Sequence, residues 1–378
     1  MKISNVASIV NQKIDGCLLD NHTYISTECM LPNCGGIEDS SSVPNGKVTR
    51  FEKNDILLSN IRPYFKKVWF SNGLGGCSND VICIRTTSSN CSPKYLYYAI
   101  CTDKFIDSFS ASSKGTKMPR GDKNALMSYE IPDRSLEEQL YIVDILGSID
   151  EKIEFFDSQI KLLEEQGQLL YKDIFESLTI KTEKIDLAKI AVFQNGYSYS
   201  GDELCEISAD CLATIKNFDR QGGFKIDGFK PIKVAGKIKP EMYAEVGDLL
   251  VAHTDLTQNA DIIGNPVLLL NTSTYKRVII SMDLVKVKSN TLSNELLYYI
   301  LKSKKFKGHA LGYCSGTTVL HLNKKALQEY TFDMPIDKEV IVRLEKQLSV
   351  IFDRIKLILK EIEQLKKLKE LYLKKFFD

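Results

Sequence analysis

Apolar residues along this chain follow two patterns, and the more regular one occurs twice. Leu146, Ile149, Ile153, Phe156, Ile160, Leu163, Leu170 and Ile174 step by threes and fours, broken only at Gly167. Adding 202 gives Leu348, Ile351, Ile355, Ile358, Ile362, Leu365, Tyr372 and Phe376, and puts the break on Lys369. Positions alternating three and four apart make a coiled-coil seam. From Leu146 to Ile174 the seam runs about 42 Å at 1.5 Å per residue, more apolar surface than a lone helix can shield. The simplest partner for each helix is the other one; the alternative is that each merely covers its neighbouring globular segment. The first helix is expected to begin after Pro132, where Ser135 and Glu138 form a capping box. The second is expected to begin near Asp337, just after Pro335.

The repeat extends upstream of the helices. Tyr95-Leu96-Tyr97-Tyr98 returns as Leu296-Leu297-Tyr298-Tyr299, an offset of 201 that also carries Phe105 onto Phe306, Gly115-Thr116 onto Gly316-Thr317, Lys123 onto Lys324 and Tyr129 onto Tyr330. Short apolar runs between Gly, Asn and Ser turns, such as Asp55-Ile56-Leu57-Leu58 and Asp248-Leu249-Leu250-Val251, predict strands. These two are related by 193 rather than 201, so the halves differ by insertions before the shared helices. The expected fold is α+β: two similar globular domains, each followed by a long helix, with the helices pairing as an antiparallel coiled coil. The boundaries are 1–134, a helix over 135–178, a linker at 179–185, a second domain over 186–334 and a second helix over 335–378.

Composition narrows this only a little. With 378 residues and 43% apolar content there is material for two cores. The start, Met1-Lys2-Ile3-Ser4-Asn5, has no charged-then-apolar leader, and no stretch approaches the roughly 18 uncharged apolar residues of a membrane span. A soluble cytoplasmic protein is therefore expected. The ten cysteines, at 17, 29, 34, 77, 83, 91, 101, 205, 211 and 314, form no Cys-x-x-Cys pair, which favours reduced thiols over a disulfide framework. His22, His253, His309 and His321 form no metal-ligand spacing, so neither a structural metal nor a cofactor is expected. A net charge of +1 does not announce a nucleic-acid binder; any positive surface must be local.

Several segments together carry a family resemblance. They are Asn54-Asp55-Ile56-Leu57-Leu58-Ser59-Asn60-Ile61-Arg62-Pro63-Tyr64, then Ser113-Lys114-Gly115-Thr116-Lys117-Met118-Pro119-Arg120, then Ile131-Pro132 and Leu136-Glu137-Glu138-Gln139 before the heptad helix. The second copy has Gly247-Asp248-Leu249-Leu250, Ser315-Gly316-Thr317-Thr318 and Met334-Pro335. In this order the set resembles the specificity subunits of type I restriction-modification systems. The second copy departs at Leu-Glu-Glu-Gln, which becomes Asp337-Lys338-Glu339-Val340. The resemblance implies a non-catalytic subunit with two target-recognition domains, each reading one half of a split asymmetric site. It also implies spacer helices that dock two adenine methyltransferase subunits, to which restriction and translocase subunits can add.

Local charge fits double-stranded DNA as the partner, since cations on phosphates give affinity and side chains on base edges give specificity. Arg62, Lys66 and Lys67 surround Tyr64; Lys114, Lys117, Arg120 and Lys123 follow; Lys302, Lys304, Lys305 and Lys307 crowd together in the second half. Thr116, Thr317 and Thr318 beside their glycines are candidate phosphate contacts, with an ordinary turn as the alternative. Lys216, Asn217, Arg220 and Gln221, with His253, Thr254 and Gln258, are candidate base readers, with polar loops as the alternative.

Enzyme readings fail on missing parts. No Asn/Asp-Pro-Pro-aromatic string or Gly-x-x-x-x-Gly-Lys-Ser/Thr loop is present. Pro132-Asp133 with Asp150-Glu151-Lys152 mimics a nuclease metal site, but the triplet falls within the heptad helix, where such charges are surface charges. The competing non-enzyme reading is a coiled-coil scaffold whose domains bind proteins without DNA specificity.

Overall fold

A short apolar run with no polar alternation belongs in a strand covered on both faces. In the computed structural model, which describes every residue of the chain except Lys114, Thr116, Lys117, Gln221, Gln258 and Thr318, both such runs are central strands. The chain divides into two units, Met1–Glu154 with Gln364–Asp378, and Phe155–Glu363.

In the first unit, β1 (Ala7–Ile9), β5 (Ile56–Ser59), β6 (Val68–Phe70) and β8 (Val81–Thr86) make an antiparallel sheet in the order β1-β8-β5-β6. A second sheet, in the order β2-β4-β7-β3, uses β2 (Lys13–Asp15), β3 (Tyr24–Ile25), β4 (Lys47–Phe51) and β7 (Gly75–Cys77). Ile56 and Leu58 of β5 join the core formed with α1 (Pro93–Ile100) and α2 (Asp103–Ala111), while Leu57 packs with Phe51 and Cys77 of the second sheet. A short α3 (Lys123–Ser128) precedes α4 (Leu136–Phe175), whose start is the expected capping box: Ser135 N–H donates to Glu138 Oε2 at 2.9 Å and Glu138 N–H to Ser135 Oγ at 3.3 Å. Ile3 N–H donates to Tyr129 O at 3.0 Å and Lys2 bridges Glu130, so the two ends of this globular module lie side by side.

The second unit repeats the main sheet. Strands β10 (Ala191–Asn195), β14 (Leu249–Ala252), β16 (Pro266–Leu268) and β18 (Leu284–Ser289) pair in the order β10-β18-β14-β16, matching the first sheet strand for strand. Its companion sheet differs. Strands β11 (Asp210–Ala213), β13 (Tyr243–Ala244) and β17 (Arg277–Ile280) match β3, β4 and β7 in pairing direction. The outermost strand β12 (Lys230–Pro231), however, adds to β11, whereas β2 adds to β4. Small hairpin strands β15 (Thr254–Asp255), β19 (Cys314–Ser315) and β20 (Leu320–Leu322) form a third sheet, and α5 (Leu187–Ile190), α6 (Asn294–Lys302), α7 (Lys304–Leu311) and α8 (Lys325–Gln328) cover the core. The stretch expected as a linker is a strand from residue 182: β9 (Thr182–Asp186) pairs antiparallel with β21 (Thr331–Pro335). Only Ile185 and Asp186 of this strand are half-buried, so its order comes from the five-residue pairing rather than from an apolar face.

The long helices α4 and α9 (Lys338–Phe377) span 40 residues each. In the first unit, Ile142 and Leu146 of α4 share a core with Leu373 and Phe377 of α9; in the second, Tyr171 and Phe175 of α4 share one with Leu344 and Leu348 of α9. The start of each helix therefore meets the end of the other, an antiparallel pair. Leu146, Ile149, Phe156, Leu348, Ile351, Ile355, Ile358 and Ile362 are buried on the seam, with Ile153, Ile160, Leu163 and Leu365 half-buried. Near both C-termini the seam slips by one residue: Tyr171 and Phe175 are buried rather than Leu170 and Ile174, and Leu373 and Phe377 rather than Tyr372 and Phe376. A straight helix drifts about 20° per heptad from a strict seven-residue repeat, and here the globular core supplies the covering surface.

The replaced helix-start signature has a structural counterpart. The buried Gln139 side chain accepts from Ser92 N–H at 2.9 Å and donates to Asn90 O and Arg134 O. In the second unit the equivalent Ser293 N–H donates instead to Glu345 Oε1 at 2.6 Å.

Candidate nucleic-acid interface

In each unit the central strand ends in a loop tied to the glycine loop that precedes α3 or α8. In the first, Ile61 bridges Arg120, Arg62 N–H donates to Pro119 O at 2.8 Å, and Gly121 N–H donates to Asn60 O at 3.1 Å. In the second, Thr254 pairs with His321 and Asp255 with Leu320. Moving 193 from Ile61 gives Thr254 and moving 201 from Arg120 gives His321, so the same junction is built twice. Gly115 and Gly316 take φ of +103° and +121°, which favours glycine. A Cβ at Gly121 would lie 2.1 Å from the Phe109 ring, so that glycine lets the loop close on the core.

The two strand-end loops differ in chemistry. In the first unit Arg62 and Lys66 both have positive φ, 48° and 52°, around a short helical turn that presents Tyr64 and Phe65 at 55% and 40% exposure. Their rings lie 4.8 Å apart. Left-handed conformations at non-glycine residues are strained and persist where surrounding structure over-determines them. Here Asn33 N–H to Phe65 O, Cys34 N–H to Lys66 O and the Lys66–Asp103 ion pair at 2.7 Å do so. In the second unit the loop winds around a buried carboxylate. Asp255 accepts from Thr257 N–H and Oγ1 and from Ile262 and Ile263 N–H at 2.6–3.1 Å. Burial pushes the Asp255 carboxyl up, but these donors outweigh it and hold the group below its ordinary value.

Beneath each loop sits a matched ion pair that the sequence reading missed. Asp55, at 1% exposure, receives Arg85 through Nε at 2.8 Å and Nη2 at 2.7 Å and caps Glu52 N–H at 2.7 Å. Asp248 caps Glu245 N–H at 2.9 Å and stands 3.4 Å from Lys286 Nζ. The 193 and 201 offsets relate these partners too, a signal available in the repeat itself.

Comparison with known proteins gives one family match in the first half and similarity along nearly the whole chain. Residues 7–165 match the family model for the type I restriction modification DNA specificity domain. The type I restriction enzyme MjaVIII specificity subunit of Methanocaldococcus jannaschii is 26% identical over 393 aligned positions, covering 96% of this chain and 86% of that protein. The HindI specificity subunit of Haemophilus influenzae is 24% identical, covering 65% of this chain and 51% of its own length. Among solved structures, the S subunit of a type I system from M. genitalium superposes with a TM-score of 0.56 at 16% identity, covering 100% and 95% of the two chains, a likeness of fold.

Over residues 7–165 the chain carries a match to the type I specificity domain, and over nearly its whole length it is similar to type I specificity subunits. Asp150 of the nuclease-like triplet, expected as a surface charge, is instead mostly buried, with Tyr98 donating to it and Lys369 paired to it across the helices.

Several candidate DNA contacts prove to be internal supports. Asn217 is fully buried, receiving Thr214 N–H and donating to Lys225 O. His253 is 8% exposed, and burial, aided by Lys324, pushes its imidazole down to about 4. Thr254 is equally buried and donates to Asp283. Lys307 staples the second loop from α7 through Ala260 O, Ile263 O and Asn265 Oδ1 at 2.7–2.8 Å, and burial lowers its ammonium pKa. Lys67 donates to Thr27 O at 2.7 Å and is lowered by burial as well. For Lys67, Thr254 and Lys307 the acceptors lie 29–47 residues away in sequence, so no local pattern marks them as inward-facing. Arg62, Lys123, Lys216, Arg220 and Lys304 have no side-chain partner among the described residues, and all but the half-buried Arg62 are exposed. Arg120 is exposed but pairs with Asp80 at 2.8 Å, and Lys305 stands 3.6 Å from Asp333. Thr317 is exposed. Lys114, Thr116, Lys117, Gln221, Gln258 and Thr318 lie outside the described residues.

Proposed function

We propose that this subunit reads a two-part asymmetric DNA site, one word per module, and docks methyltransferase and, where present, restriction subunits on its helices. The modules are assigned to residues 1–134 and 186–334, the second extended back to Thr182, with α4 and α9 as spacers. The observation that carries the reading is the repeated junction of strand-end loop and glycine loop, kept in frame while its exposed chemistry differs. A common scaffold with unlike tips suits two different words.

For the protein partners, the supporting observation is a second apolar stripe. Tyr141, Phe155, Leu162 and Leu169 recur every seven or fourteen residues along α4 and are exposed, as are Val350, Leu357 and Leu371 on α9. Exposed apolar rows of this kind suit additional helices from a partner. Among the described residues no helix is long and apolar enough to cross a membrane, in keeping with a cytoplasmic DNA-bound complex.

Co-expression with a cognate adenine methyltransferase, followed by single-molecule mapping of methylated adenines in host DNA, tests the proposal. An asymmetric motif with a fixed gap is expected. A stable complex that leaves no motif would instead support the protein-binding scaffold.

A further inference from the structure

The seam defect noted in the sequence is occupied differently in the two units. In the first, Lys369 of α9 lies against Asp150 of α4, Nζ to Oδ1 at 2.5 Å, and Tyr98 of α1 donates to the other carboxylate oxygen at 2.9 Å. The ammonium also stands 5.7 Å from the centroid of the Tyr98 ring. Burial alone would lower the Lys369 pKa, but Asp150 outweighs it and the group sits above its ordinary value. In the second unit the equivalent tyrosine is Tyr299. Its hydroxyl would lie 2.0 Å from a Cβ on Gly167 of α4, and its ring centroid is 5.9 Å from that of Phe352 of α9.

The repeat offsets relate these residues one to one: Tyr98 to Tyr299, Asp150 to Phe352, and Gly167 to Lys369. One site joins acid and base; its counterpart joins a large ring and a glycine. Helix α4 thus carries Asp150 and Gly167, and α9 carries Phe352 and Lys369. Two α4 helices packed antiparallel on each other would set Asp150 against Gly167 twice, leaving two mostly buried carboxylates without a cation. Two α9 helices would set Phe352 against Lys369 twice, stranding two ammonium groups. A buried charge deprived of its partner is strongly unfavourable, whereas the matched pair is tolerated.

We propose that Asp150–Lys369 and Gly167–Phe352 are a pairing code that makes α4 associate with α9 and reject a second copy of itself. The code acts against assemblies that would join two first halves or two second halves of different chains. One polar pair placed at a single register position of an otherwise apolar seam is a known way to fix the identity of helix partners.

A double-mutant cycle in the intact chain gives the first test. D150F and K369G each leave one charge stranded and should each lower the melting temperature, while D150F/K369G, which copies the second unit's solution, should recover most of the loss. Strictly additive losses would overturn the idea. The second test cuts the folded protein at an inserted protease site in the exposed segment around Leu178, then unfolds and renatures the nicked protein and counts fragment pairs by native mass spectrometry. The wild type should favour unlike pairs by roughly a hundredfold, and D150F/K369G should also yield like pairs. K369G alone should release pairs of second halves only. A statistical mixture from the wild type, or undiminished selectivity in both variants, would refute the code.

Discussion

The two units share one framework but stabilise its key positions by different means. Under the strand-end loop, the first unit uses a two-point guanidinium clamp from Arg85 to a fully buried Asp55, whereas the second uses a looser ammonium contact from Lys286 to Asp248. At the loop tip, the first presents two aromatic rings on a strained turn, and the second a chain wound around Asp255. Arg and Lys are not interchangeable where two parallel bonds are made. The first loop is accordingly held by its base, and the second by its own internal carboxylate and by Lys307.

The largest expected asymmetry lies in those clamps. Asp55→Ala leaves Arg85 beside an empty buried site and should cost about 3–5 kcal/mol in urea unfolding. Asp248→Ala removes one 3.4 Å contact and leaves Lys286 bonded to Tyr243 O at 2.6 Å, so it should cost about 1 kcal/mol; equal losses would erase the distinction. Next come the helix glycines. Gly167→Ala drives a methyl into Tyr299 and should destabilise by about 3 kcal/mol. At Gly147 the nearest atom to a new Cβ is 3.4 Å away, so Gly147→Ala should stabilise by about 0.5–1 kcal/mol through helix propensity.

Acid should also discriminate. His253 is held neutral in the fold, its pKa pushed from 6.5 down to about 4. Its contribution is complete above the unfolded value and is lost as pH falls towards 4, about 2 kcal/mol between pH 7 and 4.5. Position 60, its counterpart in the first unit, is Asn and has no such term. His22, exposed beside Asp39, is shifted up and so runs the other way, favouring the fold at low pH. Comparing the wild type with His253→Leu across that window isolates the difference; parallel curves would remove it. A separate asymmetry is expected in recognition: Arg62→Ala and Tyr64→Ala should each weaken binding by about 1–2 kcal/mol. In a methylation map, only the word read by the first module should relax.

The long helices were legible because a seam of eight positions repeated with its defect leaves few alternatives. Sheet pairing was not legible, since strands of two to six residues have no periodicity of their own and take their order from remote partners. Of the candidate site, the junction at Arg62 and Arg120 could be read from motif and offset. The inward turn of Lys307 could not, because nothing local separates an exposed lysine from one whose acceptors lie more than forty residues away.

The strand pair β9–β21 brings both boundaries of the second module together, as the bridge of Lys2 to Glu130 does for the first. A segment whose borders meet behaves as a cassette. Recombination between relatives at Thr182 and Pro335 would exchange a whole reading head in one event while leaving α4 and α9, and everything that binds them, unaltered. On the proposed function, new DNA words could then evolve separately from the assembly that acts on them.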